Sequence, residues 1–135
     1  MAIEFRDNGT VSVDIGGETY TLRRPKMGEL WEFYDYRDEL SESAQAQIQE
    51  MARQAAELDE ESEEFRDLIR QIKDRRLSWR LMSEPWLRRA FEELGSKPLP
   101  ENLDDAPPEL TSLKLASQIL EFWRDVPLAR SPRRM

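Results

Sequence analysis

The first part of the chain alternates apolar and polar residues, a pattern typical of β-strands with one buried face. The alternating apolar residues are Ile3, Phe5, Val11, Val13, Ile15, Tyr20 and Leu22. Residues 7–9 (Asp-Asn-Gly) and 16–17 (Gly-Gly) interrupt the alternation where tight turns require positive φ angles. We therefore predict a two- or three-stranded antiparallel meander over residues 1–26. It needs an apolar partner, because so small a sheet is marginally stable alone.

After Pro25 the apolar residues follow helical spacing, which predicts a helix over about residues 27–40. One stripe, at i, i+3, i+4 and i+7, consists of Met27, Leu30, Trp31 and Tyr34. A second stripe, rotated by roughly a third of a turn, consists of Phe33, Tyr36 and Leu40. Either this helix is sandwiched between the sheet and another helix, or its second stripe faces a partner protein.

Residues 41–82 are predicted to form a helical hairpin or one long interrupted helix. Ser41 or Ser43 can cap a second helix, and the acids of residues 59–61 suit the start of the next one. One face of that next helix consists of Phe65, Leu68, Ile69, Ile72, Arg76 and Trp79. Pro85 begins a further helix, and we expect Gly95 to end it in the left-handed conformation.

Four prolines make residues 95–108 an extended connector. The last helix is predicted over residues 109–125, and its wide apolar arc makes it either the central helix of a bundle or one flank of a binding groove. The expected fold is α+β and mainly α: a small antiparallel meander followed by a bundle of about four to five helices. A single domain is expected over residues 1–128, with residues 129–135 as a flexible tail.

The four tryptophans differ in their surroundings along the sequence. Trp79 and Trp123 lie on strong apolar faces, and Trp31 shares its stripe with leucine and tyrosine, so all three are expected in the core. Trp86 lies at a helix start beside a proline, where side chains are often half exposed. Since exposed tryptophans anchor protein interfaces, Trp86 is the tryptophan we favour as a contact residue.

Composition argues against catalysis and against cofactor or metal binding. The chain has no histidine and no cysteine, which the usual nucleophile–base pairs and structural zinc sites require. The net charge of −8 argues against nucleic-acid binding. It arises between residues 29 and 94, where eighteen acids face ten bases. No apolar run is long enough to span a membrane and the N-terminus does not resemble a secretory signal, so we expect a soluble cytoplasmic protein.

Three stretches resemble the tail assembly chaperones of long-tailed bacteriophages, in particular those of phages that infect actinobacteria. The first is residues 20–30, Tyr-Thr-Leu-Arg-Arg-Pro-Lys-Met-Gly-Glu-Leu. The second is the connector around Leu99-Pro100 and Pro107-Pro108, and the third is residues 122–128, Phe-Trp-Arg-Asp-Val-Pro-Leu. Together these stretches cover about a quarter of the chain, with the connector taken as residues 95–108.

The resemblance implies a definite role. Such proteins bind the tape measure protein, keep it soluble in the host cytoplasm and help to recruit tail tube subunits around it. They are commonly made in two forms, of which the longer arises by a programmed ribosomal frameshift. This chain would correspond to the shorter form.

A holdase for apolar helices needs accessible apolar side chains, which can cover varied partner helices without a strict sequence code. The hypothesised partner-binding surface consists of Phe33, Tyr36, Leu40, Trp86, Leu115 and Phe122. The main alternative is a small acidic adaptor that binds one folded partner; a virion structural protein and an enzyme with a carboxylate-only site are further classes. Self-association is also left open.

Overall fold

The computed structural model describes residues 2–126, and its fold is α+β and mainly α, as the sequence predicts. Strands β1 (Ile3–Phe5), β2 (Val11–Ile15) and β3 (Glu18–Leu22) form an antiparallel sheet in that order. Val13 pairs with Ile3 on one side and Tyr20 on the other, so three buried side chains share one face. Both predicted turns are present, with glycines at positive φ.

Helix α1 runs from Met27 to Ala56, which is 30 residues or about 45 Å. The prediction that this helix ends near Leu40 and that a serine caps a second one is wrong. Residues 41–56 contain neither glycine nor proline, and the buried Ala44 and Ala55 lie on this second half, so nothing breaks the helix. Helix α2 (Glu63–Lys73) packs back against it, so a helical hairpin is present, but its second helix ends at Lys73 and not near residue 82 as predicted.

After the extended residue Asp74, a second long helical segment follows, and its three parts are continuous with one another. It comprises α3 (Arg75–Ser78), a π-helical turn (Trp79–Ser83) and α4 (Glu84–Leu94). The Trp79 side chain is half-buried and its Nε1–H donates to the Leu110 carbonyl at 2.9 Å. This contact ties the π-helical turn to the later part of the chain.

The end of α4 corrects the prediction for Gly95. Its φ and ψ are −85° and 158°, so it is extended and not left-handed. Gly95 forms a β-bridge with Leu22. Two backbone hydrogen bonds flank this bridge: the Arg23 N–H donates to the Leu94 carbonyl at 2.9 Å, and the Ser96 N–H donates to the Thr21 carbonyl at 2.8 Å. Glycine is required for space, because a Cβ here would lie 2.3 Å from the Phe91 carbonyl oxygen.

After the connector, residues 108–111 form a 3-10 turn and helix α5 runs from Leu115 to Asp125, so the last helix begins later than residue 109. Helix α5 lies in the core with α1, α4 and the sheet, as the central-helix alternative predicts, and its last turn also lines an open groove. Its buried side chains are Leu115, Ala116, Ile119, Leu120 and Trp123. The predicted flexible tail, residues 129–135, lies outside the described residues.

Candidate partner-binding groove

An open groove of about 980 Å³ lies between the first turns of α1 and the last turn of α5. Leu30, Tyr34, Trp123 and Val126 are among its apolar lining residues, with the more exposed Met27 and Trp31 beside them. Three cations, Arg24, Lys26 and Arg124, and one acid, Asp125, also line it. The groove is therefore an apolar trough with a charged rim.

A local ion pair fixes the α1 wall of the groove. The Arg23 guanidinium donates to both carboxylate oxygens of Glu29, at 3.0 and 2.8 Å, and the Lys26 backbone N–H donates to the same carboxylate at 2.9 Å. These bonds, the one from Arg23 first, lower the pKa of Glu29 to about 2, and the bond to Glu29 raises the pKa of Arg23. Glu29 is the third residue of the helix, where a carboxylate also suits the helix dipole.

Long-range hydrogen bonds fix the α5 wall. The Trp123 Nε1–H donates to the Gly9 carbonyl at 2.9 Å, and Arg24 Nη2 donates to the Val126 carbonyl at 2.9 Å. Gly9 has φ +88°, and a Cβ there would lie 2.8 Å from Arg24 Cδ. The backbone of the turn after β1 therefore accepts the indole hydrogen bond. Because Gly9 has no side chain, the aliphatic part of Arg24 can pack closely against this turn.

Met27 and Trp31 are the distinctive feature of this groove. They are one helical turn apart on α1 and are 71% and 63% exposed. The other three tryptophans donate their Nε1–H to backbone carbonyls, namely those of Leu110, Phe33 and Gly9. Trp31 has no such acceptor among residues 2–126. Tryptophan is one of the side chains enriched at the energetically important centres of protein interfaces.

The apolar area available at these two side chains limits the affinity that they alone can supply. Covering their exposed parts would remove about 300 Å² from water, which corresponds to roughly 7 kcal/mol at about 25 cal/mol/Å². Association itself costs roughly 4–15 kcal/mol. A tight complex therefore also needs contacts with the groove lining and its charged rim.

The structure corrects the expected exposure of half of the hypothesised partner-binding surface. Phe33, Trp86 and Leu115 are buried, at 2%, 0% and 3% exposure. Phe33 and Trp86 form an edge-to-face pair at 5.6 Å, and Trp86 Nε1–H donates to the Phe33 carbonyl at 3.0 Å, so Trp86 is a core residue despite the neighbouring proline. No partner can reach these three side chains in the folded chain.

The remaining three hypothesised residues are half-buried and pack against the same core. Tyr36 lies under the Arg89 guanidinium, 4.6 Å from its ring centroid, and Phe122 contacts Phe5 edge-to-face at 5.0 Å. Leu40 is part of the same half-buried shell. None of the three lines the groove.

Met27 and Trp31 were missed because their stripe includes leucine and tyrosine and was expected in the core. Two signals in the sequence point to them. They stand in the first turns of a helix, where fewer neighbours cover a side chain, and they follow a basic stretch, Arg23-Arg24-Pro25-Lys26. The expectation that Trp31 is a core residue is wrong, because its side chain is exposed. Trp86, the tryptophan favoured for contact with a partner, is instead fully buried.

The described residues show neither a metal-ligand cluster nor a membrane-spanning helix. Residues 2–126 contain no cluster of three or more acidic side chains that could hold a metal ion. None of the helices described is long and apolar enough to cross a membrane. We found no match to this chain among protein families, curated proteins or solved structures.

Proposed function

We propose that this protein is an assembly chaperone that binds an apolar helical segment of a partner protein in the groove between α1 and α5. In view of the sequence resemblance, the partner proposed is a phage tape measure protein, and the chaperone keeps it soluble while tail tube subunits assemble. The observation that carries the proposal is the pair of exposed apolar side chains, Met27 and Trp31, above an apolar groove.

The volume of the groove is large enough for the side chains of a bound helix. Its volume of about 980 Å³ is at the upper end of the range for small-molecule sites, roughly 300–1,000 Å³, and accommodates several side chains. Amphipathic helices bind such grooves through apolar residues at i, i+3 or i+4, and i+7. Methionine and tryptophan adapt to varied apolar partners, which suits a chaperone.

The second candidate function, a small acidic adaptor for one partner, is favoured by a different observation. The large apolar side chains exposed in residues 2–126 are Phe5, Met27, Trp31 and Leu113. Only two of these four line the groove, so the exposed apolar patch at the groove is small. A compact site suits one defined segment, whereas a general holdase benefits from an extended apolar surface.

Co-expression with the tape measure protein encoded in the same genome tests the proposal. We expect the full chain to keep that protein in the soluble fraction and to co-purify with it. The double variant Met27→Ser/Trp31→Ser should lose both effects while keeping its circular dichroism spectrum. Leu113→Ser is the matched control, since Leu113 is 49% exposed and lies outside the groove. Equal solubilisation by the double variant would show that the groove is not the binding site.

Labelled helical peptides separate the chaperone from the adaptor. A chaperone should bind several unrelated apolar helices in a manner that depends on Trp31, whereas an adaptor should bind one native partner and ignore generic peptides.

Expression of the gene with its native downstream DNA, followed by intact-mass analysis, tests the frameshift that the resemblance implies. A minor, longer product with the same N-terminus supports tail assembly.

A further inference from the structure

We infer that the groove selects partner helices whose apolar face is flanked by Asp or Glu. This inference rests on the proposed function, because it names the chemistry of the segment that the groove binds. The net charge of the groove rim has the opposite sign to the net charge of the chain.

The chain from Arg23 to Glu29 carries three bases and one acid. Glu29 is already engaged by both nitrogens of the Arg23 guanidinium, so this acid and this base neutralise each other. The positive charges of Arg24 and Lys26 remain at the groove, since Arg24 donates to an uncharged carbonyl group.

The charged lining residues of the opposite wall, one base and one acid, add no net charge. Arg124 pairs with Asp125 at 3.0 Å, and both residues line the groove. The charged lining residues are therefore three cations and one anion, a net charge of +2. The positive end of the long α1 helix dipole lies at the same rim and adds to this potential.

The local potential of the rim and the overall field of the chain have opposite signs, so they favour peptides of opposite charge. A chain with a net charge of −8 should attract basic peptides non-specifically, through its overall field. A preference for acid-flanked peptides therefore requires a local positive potential, and the groove rim supplies one. Charge complementarity at a rim acts mainly on partner choice and association rate, and salt weakens it.

The test measures the binding of three labelled helical peptides to the full chain. The peptides share one apolar face and differ only in their flanking residues, which are Asp, Gln or Lys. In about 20 mM salt we expect the Asp-flanked peptide to bind roughly fivefold more tightly than the Gln-flanked one, and the difference to fall below about twofold near 0.5 M salt. The Lys-flanked peptide should bind most weakly.

Two variants of Lys26 connect the preference to the rim. Lys26→Gln should reduce the preference for the Asp-flanked peptide, and Lys26→Glu should abolish or reverse it. The control is Lys114→Glu, which makes the same change of charge outside the groove. Lys26 and Lys114 are both exposed N-cap residues, of α1 and α5, so the two substitutions are matched in exposure and in position relative to a helix start. An unchanged preference in both Lys26 variants would overturn the inference.

Other outcomes identify other occupants or other sources of charge. If all three peptides bind equally and binding still requires Trp31, the charge inference is wrong and the proposed function stands. If no peptide binding depends on Trp31, the proposed function itself is wrong. Full-length protein in which Arg130, Arg133 and Arg134 are replaced by Gln must keep the preference, since loss would assign it to those arginines. Tighter binding of a synthetic peptide of residues 127–135 would make the chain's own segment the occupant and would also overturn the inference.

Discussion

Phe33 and Trp31 are two residues apart on α1, and the structure predicts opposite consequences for their replacement by alanine. Phe33 is 2% exposed, and its ring lies 5.6 Å from that of Trp86 and 6.4 Å from that of Trp123. Trp31 is 63% exposed, and its ring contacts that of Tyr34 at 6.1 Å. We expect Phe33→Ala to destabilise the fold and Trp31→Ala to abolish partner binding without destabilising it.

The magnitudes follow from burial. Truncation of a buried phenylalanine costs about 3–5 kcal/mol, which includes the cavity that remains. The Arg89 guanidinium lies 5.6 Å from the centroid of the Phe33 ring, and this cation–π contact would also be lost. Such a loss is a large part of the roughly 5–15 kcal/mol that stabilises an ordinary domain. An exposed substitution such as Trp31→Ala should change stability by no more than about 0.5 kcal/mol.

Equilibrium urea unfolding, followed by circular dichroism, measures both effects. Phe33→Ala should strongly lower the urea concentration at the unfolding midpoint, with little change in the slope of unfolding free energy against urea concentration. Trp31→Ala should leave both quantities unchanged. Peptide binding measured on the same samples should fail for Trp31→Ala. A cost below about 1 kcal/mol for Phe33→Ala would place this side chain outside the core and would refute the argument from burial. Equal destabilisation by the two substitutions would refute the exposed position of Trp31.

Three further predictions concern the groove and its supports. Glu29→Gln should cost about 1–2 kcal/mol at pH 7, a value discounted for partial exposure. Folding lowers the pKa of Glu29 to about 2, so its contribution to stability is present above the ordinary pKa of 4.5 and is lost as pH falls towards 2. Between those two pH values, the urea midpoint of the variant should therefore depend less on pH than that of the wild type. Gly95→Ala should cost about 1–3 kcal/mol in thermal unfolding, because its Cβ meets the Phe91 carbonyl, and little cost would show that α4 can shift. Trp123→Phe should cost about 1–3 kcal/mol by leaving the Gly9 carbonyl without its indole donor, and stability equal to the wild type would argue against that bond.

The strands and the start of α1 could be predicted from the sequence because local chemistry decides them. The turns around Gly9 and Gly16 have the positive φ that the pattern requires, and Pro25 separates β3 from the helix. The continuation of α1 beyond Leu40 could not be predicted. Ser41 can cap a helix, yet it is accommodated within α1, whose second half packs against α2. The cap signal was therefore overridden by tertiary packing.

The tryptophans show why the site could not be found by periodicity. Helical spacing tells which side chains share a face, but not which face the rest of the fold covers. Phe33 and Trp31 are 200° apart on an ideal helix, at about 100° per residue, so burying the first turns the second outward. Only the arrangement of α4 and α5 against α1 decides between them, and those contacts join parts of the chain far apart in sequence.

The same long-range contacts connect binding to folding. Trp123 lines the groove, and its ring also lies 6.2 Å from that of Trp86 in the core. The groove exists only when the beginning and end of the described chain meet, through bonds from Trp123 to Gly9 and from Arg24 to Val126. An unfolded chain therefore lacks the site, and a bound partner must stabilise the native state, by about 2.7 kcal/mol at a free concentration of roughly 100 Kd. A partner helix that binds without raising the thermal midpoint would be bound elsewhere than in this groove.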